Sequence, residues 1–346
     1  MVTVASRPAY ALALKNLGWS DFFADQRQPE DVGLEPCRIA SVHRSRLTAI
    51  APAGAVQLTL PVHAHTGDFA VGDWVLVDPQ TLVPQRRLSR RTALERHVEG
   101  TKTPQLAAAN IDTLFIVTSC NADFNPARLE RYLALANQSG ARPVILLTKV
   151  DATEDAESFR QQAASLQRGL AVVMLSPHSR DAASALAPWC GKGQTVALVG
   201  SSGVGKSTLV NSLAGTAAAP QQTGEIRESD AKGRHTTTSR SIHAIAGGGW
   251  VIDSPGIRTL HIRDAAEGVS TLFAEITELA PLCRFRDCTH AHEPGCAVQA
   301  AIVNGSLEPA RLARWRKLVE ENRDNTPGAT ASRPGGGGAG ARGRKR

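Results

Sequence analysis

The 346-residue chain carries 39 basic against 32 acidic side chains, a formal charge of +7, which permits a nucleic-acid partner without requiring one. Its 42% apolar content is that of a globular protein, and no run approaches the roughly 18 apolar residues of a membrane span, so no membrane partner is expected. Six cysteines scattered through so long a chain argue against a secreted disulfide framework, and MVTVASRPAYALALKNLGWS lacks the basic start and apolar core of a secretory signal, so the cytoplasm is the expected location.

Residues 1–34 read as a loosely attached N-terminal arm, with a short helix around Tyr10 to Leu17 and then the polar stretch DQRQPEDVG. From Cys37 the texture changes to short β-like runs, CRIASVHRSRLTAI, VQLTLPV and DWVLVDP, separated by turn material. That spacing predicts a small barrel. Basic residues crowd it: His43, Arg44 and Arg46, then Arg86, Arg87, Arg90, Arg91 and Arg96. An RNA-binding surface and a merely solvated positive face both account for them.

From Ile111 the pattern is α/β. IDTLFIVTS is a near-continuous apolar run of the kind a buried parallel strand requires, NPARLERYLALANQSG is an amphipathic helix, and PVILLT, AVVMLS, VALVG, SIHAI and WVID are further strands. The expected fold is an open, mainly parallel sheet with helices on both faces.

Gly200 to Ser207, GSSGVGKS, fits G-x-x-x-x-G-K-[ST] between a predicted strand and a predicted helix. Gly200, Ser201, Ser202, Gly203, Val204 and Gly205 would wrap backbone N–H groups around a phosphate. Lys206 would reach the β- and γ-phosphates, Ser207 would join a Mg²⁺ shell, and Thr208 opens the helix. The deciding residues lie upstream. Thr148-Lys149-Val150-Asp151 resembles the N-K-x-D guanine motif, with Thr148 where Asn is usual. The Asp151 carboxylate can accept the guanine N1–H and 2-amino hydrogens, which adenine does not offer, and Lys149 can lay its stem over the base. Ser176-Pro177-His178 follows one strand later, where backbone N–H can meet guanine O6. After the P-loop come His235-Thr236-Thr237-Thr238, a polar switch segment, and Asp253-Ser254-Pro255-Gly256. Asp253 can hold the Mg²⁺ water shell, and the Gly256 N–H can sense the γ-phosphate. Thr237 is the chosen magnesium ligand, with Thr236 and Thr238 open alternatives. Ile257 stands where many GTPases place a water-orienting Gln, so His235 is the candidate to position the attacking water.

Base motif before P-loop before switches is a circular permutation of the usual order. With RRTALERHVEG, DFNPARLERYLALA, GRHTTTSR and VIDSPGIR, the chain resembles the bacterial ribosome small subunit-dependent GTPase family over about residues 35–320. The resemblance implies an OB-fold-like RNA-binding barrel at 35–99, a circularly permuted P-loop GTPase domain at 100–270, a zinc-binding helical domain at 271–325 and a basic tail at 326–346, the last read as disordered. It implies GTP/GDP as ligand, Mg²⁺, a water-positioning histidine at His235, and slow GTP hydrolysis stimulated by the small ribosomal subunit and coupled to that subunit's late maturation. The small subunit and its rRNA are the implied partners, and a monomer is expected. A P-loop ATPase or kinase with an RNA-binding domain, and a weakly hydrolysing GTP-dependent RNA tether, are the rival readings. The first leaves TKVD unused; Ile257 favours the second.

Cys283, Cys288, His290 and Cys296 stand as C-x4-C-x-H-x5-C, three thiolates and an imidazole suited to one structural tetrahedral Zn²⁺. By spacing alone His292 rivals His290, and Glu293 is a less suitable hard ligand. Arg284, Arg286 and His292 around the cluster, with Arg311, Arg314, Arg316 and Lys317 on the following helix, read as contact material for phosphate. Cys37, Cys120 and Cys190 have no ligand companions and read as small apolar residues.

Overall fold

A computed structural model describes residues 7–43, 46–61, 64–96, 105–176, 182–214, 240–253 and 263–326. The N-terminal segment forms α1 (Arg7–Asn16) and α2 (Asp21–Ala24). Expected as loosely attached, it is instead packed. Leu14, Leu17 and Phe23 are buried with Trp74, Leu76 and Leu88, and Trp19 meets Trp74 edge to face at 4.9 Å. Enough apolar area lies in this short segment to hold it down.

Five antiparallel strands follow: β1 (Glu35–Val42), β2 (Leu47–Ala51), β3 (Gly54–Leu58), β4 (Trp74–Val77) and β5 (Pro84–Arg87). They pair in the order β5–β4–β1–β2–β3 and enclose Cys37, Ile39, Leu47, Ala49, Leu58, Val75 and Val77. Beyond the ends of the series, the Thr59 N–H donates to the Leu82 carbonyl at 2.9 Å. A hairpin of β6 (Ala93–Arg96) and β7 (Gln105–Ala109) leads out of this module.

The α/β body comprises β8 (Thr113–Ser119), α3 (Pro126–Ser139), β9 (Arg142–Thr148), α4 (Ala156–Ala164), β10 (Ala171–Met174), α5 (Ala182–Leu186), β11 (Thr195–Gly200), α6 (Lys206–Ala214), β12 (Arg240–Ala244) and β13 (Trp250–Asp253). The strand order is β10–β9–β8–β11–β13–β12, parallel except for β12. Period-two alternation sorts the side chains. Leu114, Ile116, Ile145 and Leu147 pack with Leu129 and Leu133 of α3, whereas Phe115, Val117, Val144 and Leu146 pack with Leu186 of α5 and Leu209 of α6. The sheet does not stop at β12. Ser241 pairs with Ser41 of β1, so the N-terminal strands continue the same hydrogen-bonded surface.

Four helices close the described chain: α7 (Ala266–Leu272), α8 (Ala274–Leu279), α9 (Ala297–Val303) and α10 (Pro309–Asn325). Val269, Leu272, Ile276, Val298, Leu312 and Leu318 join the cluster that holds Leu129 and Leu133 of α3. Gly268 permits the approach, since a Cβ there would lie 2.0 Å from the Ala134 carbonyl oxygen. The expected boundary at 270–271 falls inside α7, and the one at 99–100 falls outside the described residues.

Candidate functional site

The parallel strands all end on one edge, and the phosphate- and base-motif residues stand there, as ligand sites of open α/β sheets do. β11 runs through fully buried Val196 and Ala197 to Gly200, where φ is 141° and a Cβ would sit 2.1 Å from the Val117 carbonyl oxygen of β8. Only glycine fits between these strands. Gly203 and Gly205 also take positive φ, 78° and 94°, turning the loop into the first turn of α6. Val204 is not open to a ligand through its side chain, which is buried against α5 and α6 residues and anchors the loop. Lys206 Nζ donates to the Gly200 carbonyl at 2.8 Å and to the Ser201 carbonyl, so the ammonium lies across the loop. Ser202 and Ser207 are exposed, and Ser201 and Thr208 half-buried.

Beside this loop, β9 ends at Thr148, which is completely buried. Its hydroxyl donates to the Val204 carbonyl at 2.8 Å and lies 3.2 Å from the Thr118 carbonyl. Lys149 leaves the strand with φ 56°, a left-handed conformation that turns the chain outward, and Asp151 is exposed in the turn that follows. Met174 of β10 pairs with Leu147, which brings Ser176 off the sheet at the level of Lys149. β13 brings Asp253 to the same edge. Pro177, His178, His235, Thr236, Thr237, Thr238, Ser254, Pro255, Gly256 and Ile257 lie outside the described residues, as do Arg44 and the tail from 327.

The opposite end of β11 holds a contact the sequence did not signal. Arg38 of β1, fully buried, donates to the Leu17 carbonyl at 2.6 Å and to Thr195 Oγ1 at 2.7 Å. Burial pushes its guanidinium down to about 10, with Asp112 opposing, so it stays charged at neutral pH. An arginine amid the apolar run of CRIA was the available sign.

Cys283, Cys288, His290 and Cys296 converge, each with a ligand atom within 4.8 Å of all the others. The Cys283 and Cys296 sulfurs are 3.8 Å apart, and His290 Nδ1 is 3.5 Å from each. A tetrahedron with metal–sulfur bonds of about 2.3 Å has edges of about 3.8 Å, so the donor set fits such an ion, while a disulfide does not span 3.8 Å. Burial lowers the His290 pKa and keeps the ring neutral, with the Trp315 ring 5.6 Å away. The rivals fall away. Glu293 accepts from the Thr289, Ala291 and His292 N–H groups and from the Thr289 hydroxyl, bonds that hold its carboxyl far below the usual range. It braces the loop, and exposed His292 is outside the cluster.

Several basic residues read as RNA contacts are engaged in ion pairs within the protein, although Arg91 stays exposed and Arg86 and Arg314 half-buried. Arg86 pairs with Asp31, Arg90 with Asp73, Arg91 with Asp112, and both Arg311 and Arg314 with Glu130. Arg46, Arg87, Arg284, Arg286, Arg316 and Lys317 are exposed.

The sequence profile of a family described as RsgA GTPase matches residues 87–263. The small ribosomal subunit biogenesis GTPase RsgA of Mesorhizobium japonicum is 67% identical over 94% of this chain and 95% of its own length. RsgA 2 of Vibrio vulnificus, which carries the same description, is 48% identical over 90% and 88%. Among solved structures, YjeQ from Thermotoga maritima superposes with a TM-score of 0.62 at 24% identity, covering 83% of this chain and 98% of that one. YloQ, described as a circularly permuted GTPase, gives 0.61 at 23% identity, covering 87% and 99%. The fold is thus the circularly permuted P-loop GTPase fold, and no helix among the described residues is long and apolar enough to cross a membrane.

Proposed function

Because the chain belongs to the RsgA family and is a GTPase, we propose that it binds the small ribosomal subunit and couples GTP turnover to that subunit's late maturation. The observation that carries this is the convergence of TKVD, the P-loop and the end of β13 on one sheet edge, in permuted order, in a chain 67% identical to a small ribosomal subunit biogenesis GTPase. In this reading Asp151 and Lys149 hold guanine and the Ser176 segment meets O6. The Gly200–Gly205 backbone and Lys206 hold the phosphates. Ser207 and Thr237 bind Mg²⁺ directly, Asp253 holds its water shell, and the Gly256 N–H faces the γ-phosphate. His235 positions the attacking water, since Ile257 offers no polar atom. The strands from 35 to 87 form an OB-like RNA-binding barrel, a reading supported by their enclosed apolar cluster. The Cys/His cluster holds one structural Zn²⁺, a reading supported by its near-tetrahedral spacing. The protein acts as a monomer in the cytoplasm, with exposed arginines on both flanking modules meeting rRNA phosphates.

Co-sedimentation with purified small and large subunits, in GDP and in a non-hydrolysable GTP analogue, tests this when paired with phosphate release. Tight binding to the small subunit in the analogue, weak binding in GDP and faster phosphate release with small subunits are expected. Equal binding in both states, or equal stimulation by both subunits, would overturn it.

A further inference from the structure

We propose that Thr148 is a positioning residue that ties the base-recognition strand to the phosphate loop, leaving guanine N7 without a side-chain donor from this motif; this rests on the guanine reading of the site given above. The hydroxyl carries one hydrogen. It is directed at the Val204 carbonyl 2.8 Å away, in the middle of the P-loop, with the Thr118 carbonyl of β8 at 3.2 Å. The side chain is completely buried, so it presents nothing to a base. An amide at this position would have two N–H hydrogens, enough to hold the loop and serve a second acceptor. A threonine has only one hydrogen to donate, and here the loop carbonyl accepts it.

The choice has a chemical logic. Guanine presents N7 and O6 as acceptors. Adenine shares N7, so a donor there adds affinity without separating the two purines. What separates them is the N1 and 2-amino edge that faces Asp151. Dropping an N7 contact therefore costs affinity but no guanine selectivity. Keeping the tie preserves the spacing between Asp151, just beyond the end of β9, and the loop that wraps the phosphates. Val204 is a suitable anchor because its side chain is itself locked in the core between β11 and the α5 and α6 helices. Movement of its carbonyl would carry the whole loop.

The test is competition of GTP, 7-deaza-GTP and ATP against a fluorescent GDP, with GDP dissociation rates, on wild type and on Thr148→Ser, Thr148→Val and Thr148→Asn. Wild type should bind 7-deaza-GTP within about twofold of GTP. Thr148→Val should release GDP about fivefold to tenfold faster while keeping its GTP-to-ATP preference, and Thr148→Ser should restore the slow rate. Thr148→Asn should open a gap of about fivefold between GTP and 7-deaza-GTP, a change that a purely structural role does not produce. Should Thr148→Val unfold, Thr148→Ser and Thr148→Asn, which both retain a buried donor, carry the decision. A wild type that binds 7-deaza-GTP about tenfold more weakly than GTP overturns the proposal, as does unchanged GDP release in a folded Thr148→Val or an absent gap in Thr148→Asn. Equal competition by ATP and GTP would instead defeat the guanine reading itself, so the two failures are distinct.

Discussion

Arg311 of α10 and Glu130 of α3 form a 2.8 Å ion pair from which water is excluded, the guanidinium 8% and the carboxylate 0% exposed. Arg314 donates to the same Glu130 oxygen, and Arg311 also reaches Glu275 and the Leu272 carbonyl while lying 4.0 Å over the Phe273 ring. The last helix is thereby fixed to the body of the nucleotide-binding domain. Removing Arg311 leaves the fully buried Glu130 carboxylate with only the half-buried Arg314 as partner, whereas replacing Arg311 and Glu130 together with apolar groups leaves no buried carboxylate to compensate. Arg311→Met should destabilise the protein by about 3 kcal/mol, and Glu130→Met with Arg311→Met by distinctly less. Urea unfolding of the two variants checks this, and equal losses would contradict it.

The cysteine and histidine cluster predicts metal-dependent stability. Elemental analysis should find about one zinc per chain, and a strong chelator or Cys296→Ser should lower the unfolding midpoint by roughly 5 °C or more. A zinc-free protein with an unaltered midpoint would be the contrary result.

Asp31 gives a pH dependence with a definite sign. Hydrogen bonds from Arg86 and from the Gln28 N–H hold its carboxyl below the ordinary 3.8. A carboxylate favoured by the fold contributes in full above its ordinary pKa and loses that contribution as pH falls through the lowered one. Asp31→Asn should therefore lower the thermal midpoint equally at about pH 7 and pH 5, and its gap to wild type should close below about pH 4. A gap that widened on acidification would refute the assignment.

Two P-loop substitutions should separate geometry from charge. Gly200→Ala places a methyl 2.1 Å from the Val117 carbonyl at φ 141°, so both thermal stability and nucleotide binding should fall. Lys206→Ala should weaken GTP binding by at least about tenfold with less effect on the unfolding midpoint, as a phosphate-contacting cation requires. Titration with labelled nucleotide and thermal unfolding of both variants resolve the two effects.

Local signals were legible in the sequence and distant ones were not. GSSGVGKS and TKVD announce themselves because glycine freedom and side-chain chemistry act within a few residues. The C-x4-C-x-H-x5-C spacing found the metal-type cluster, yet it left His290 and His292 level. What separates them is the Glu293 brace, visible only in three dimensions. By sequence Arg311 reads as contact material for phosphate, because its partner Glu130 lies 181 residues away. The run RRTALER likewise conceals β6, since its arginines mark it as charge and the strand is only four residues long. The N-terminal arm reads as loose in the sequence because Trp74, the ring on which Trp19 and Phe23 pack, belongs to another element.

The pairing of β1 with β12 has a consequence for synthesis. Ser41 and Val42 find their partners in Ser241 and Arg240, and the Asn16 carbonyl receives the indole N–H of Trp250, 234 residues later. β1 finds β2 and β4 close by in the chain, but at ordinary elongation rates its last two residues wait roughly 10 to 40 seconds for β12 to emerge. During that interval one side of Ser41 and Val42 stays unpaired, a two-residue stretch of the kind of strand edge through which chains recognise one another. Chains that stop before residue 240 lack β12 and so never close that short stretch of edge.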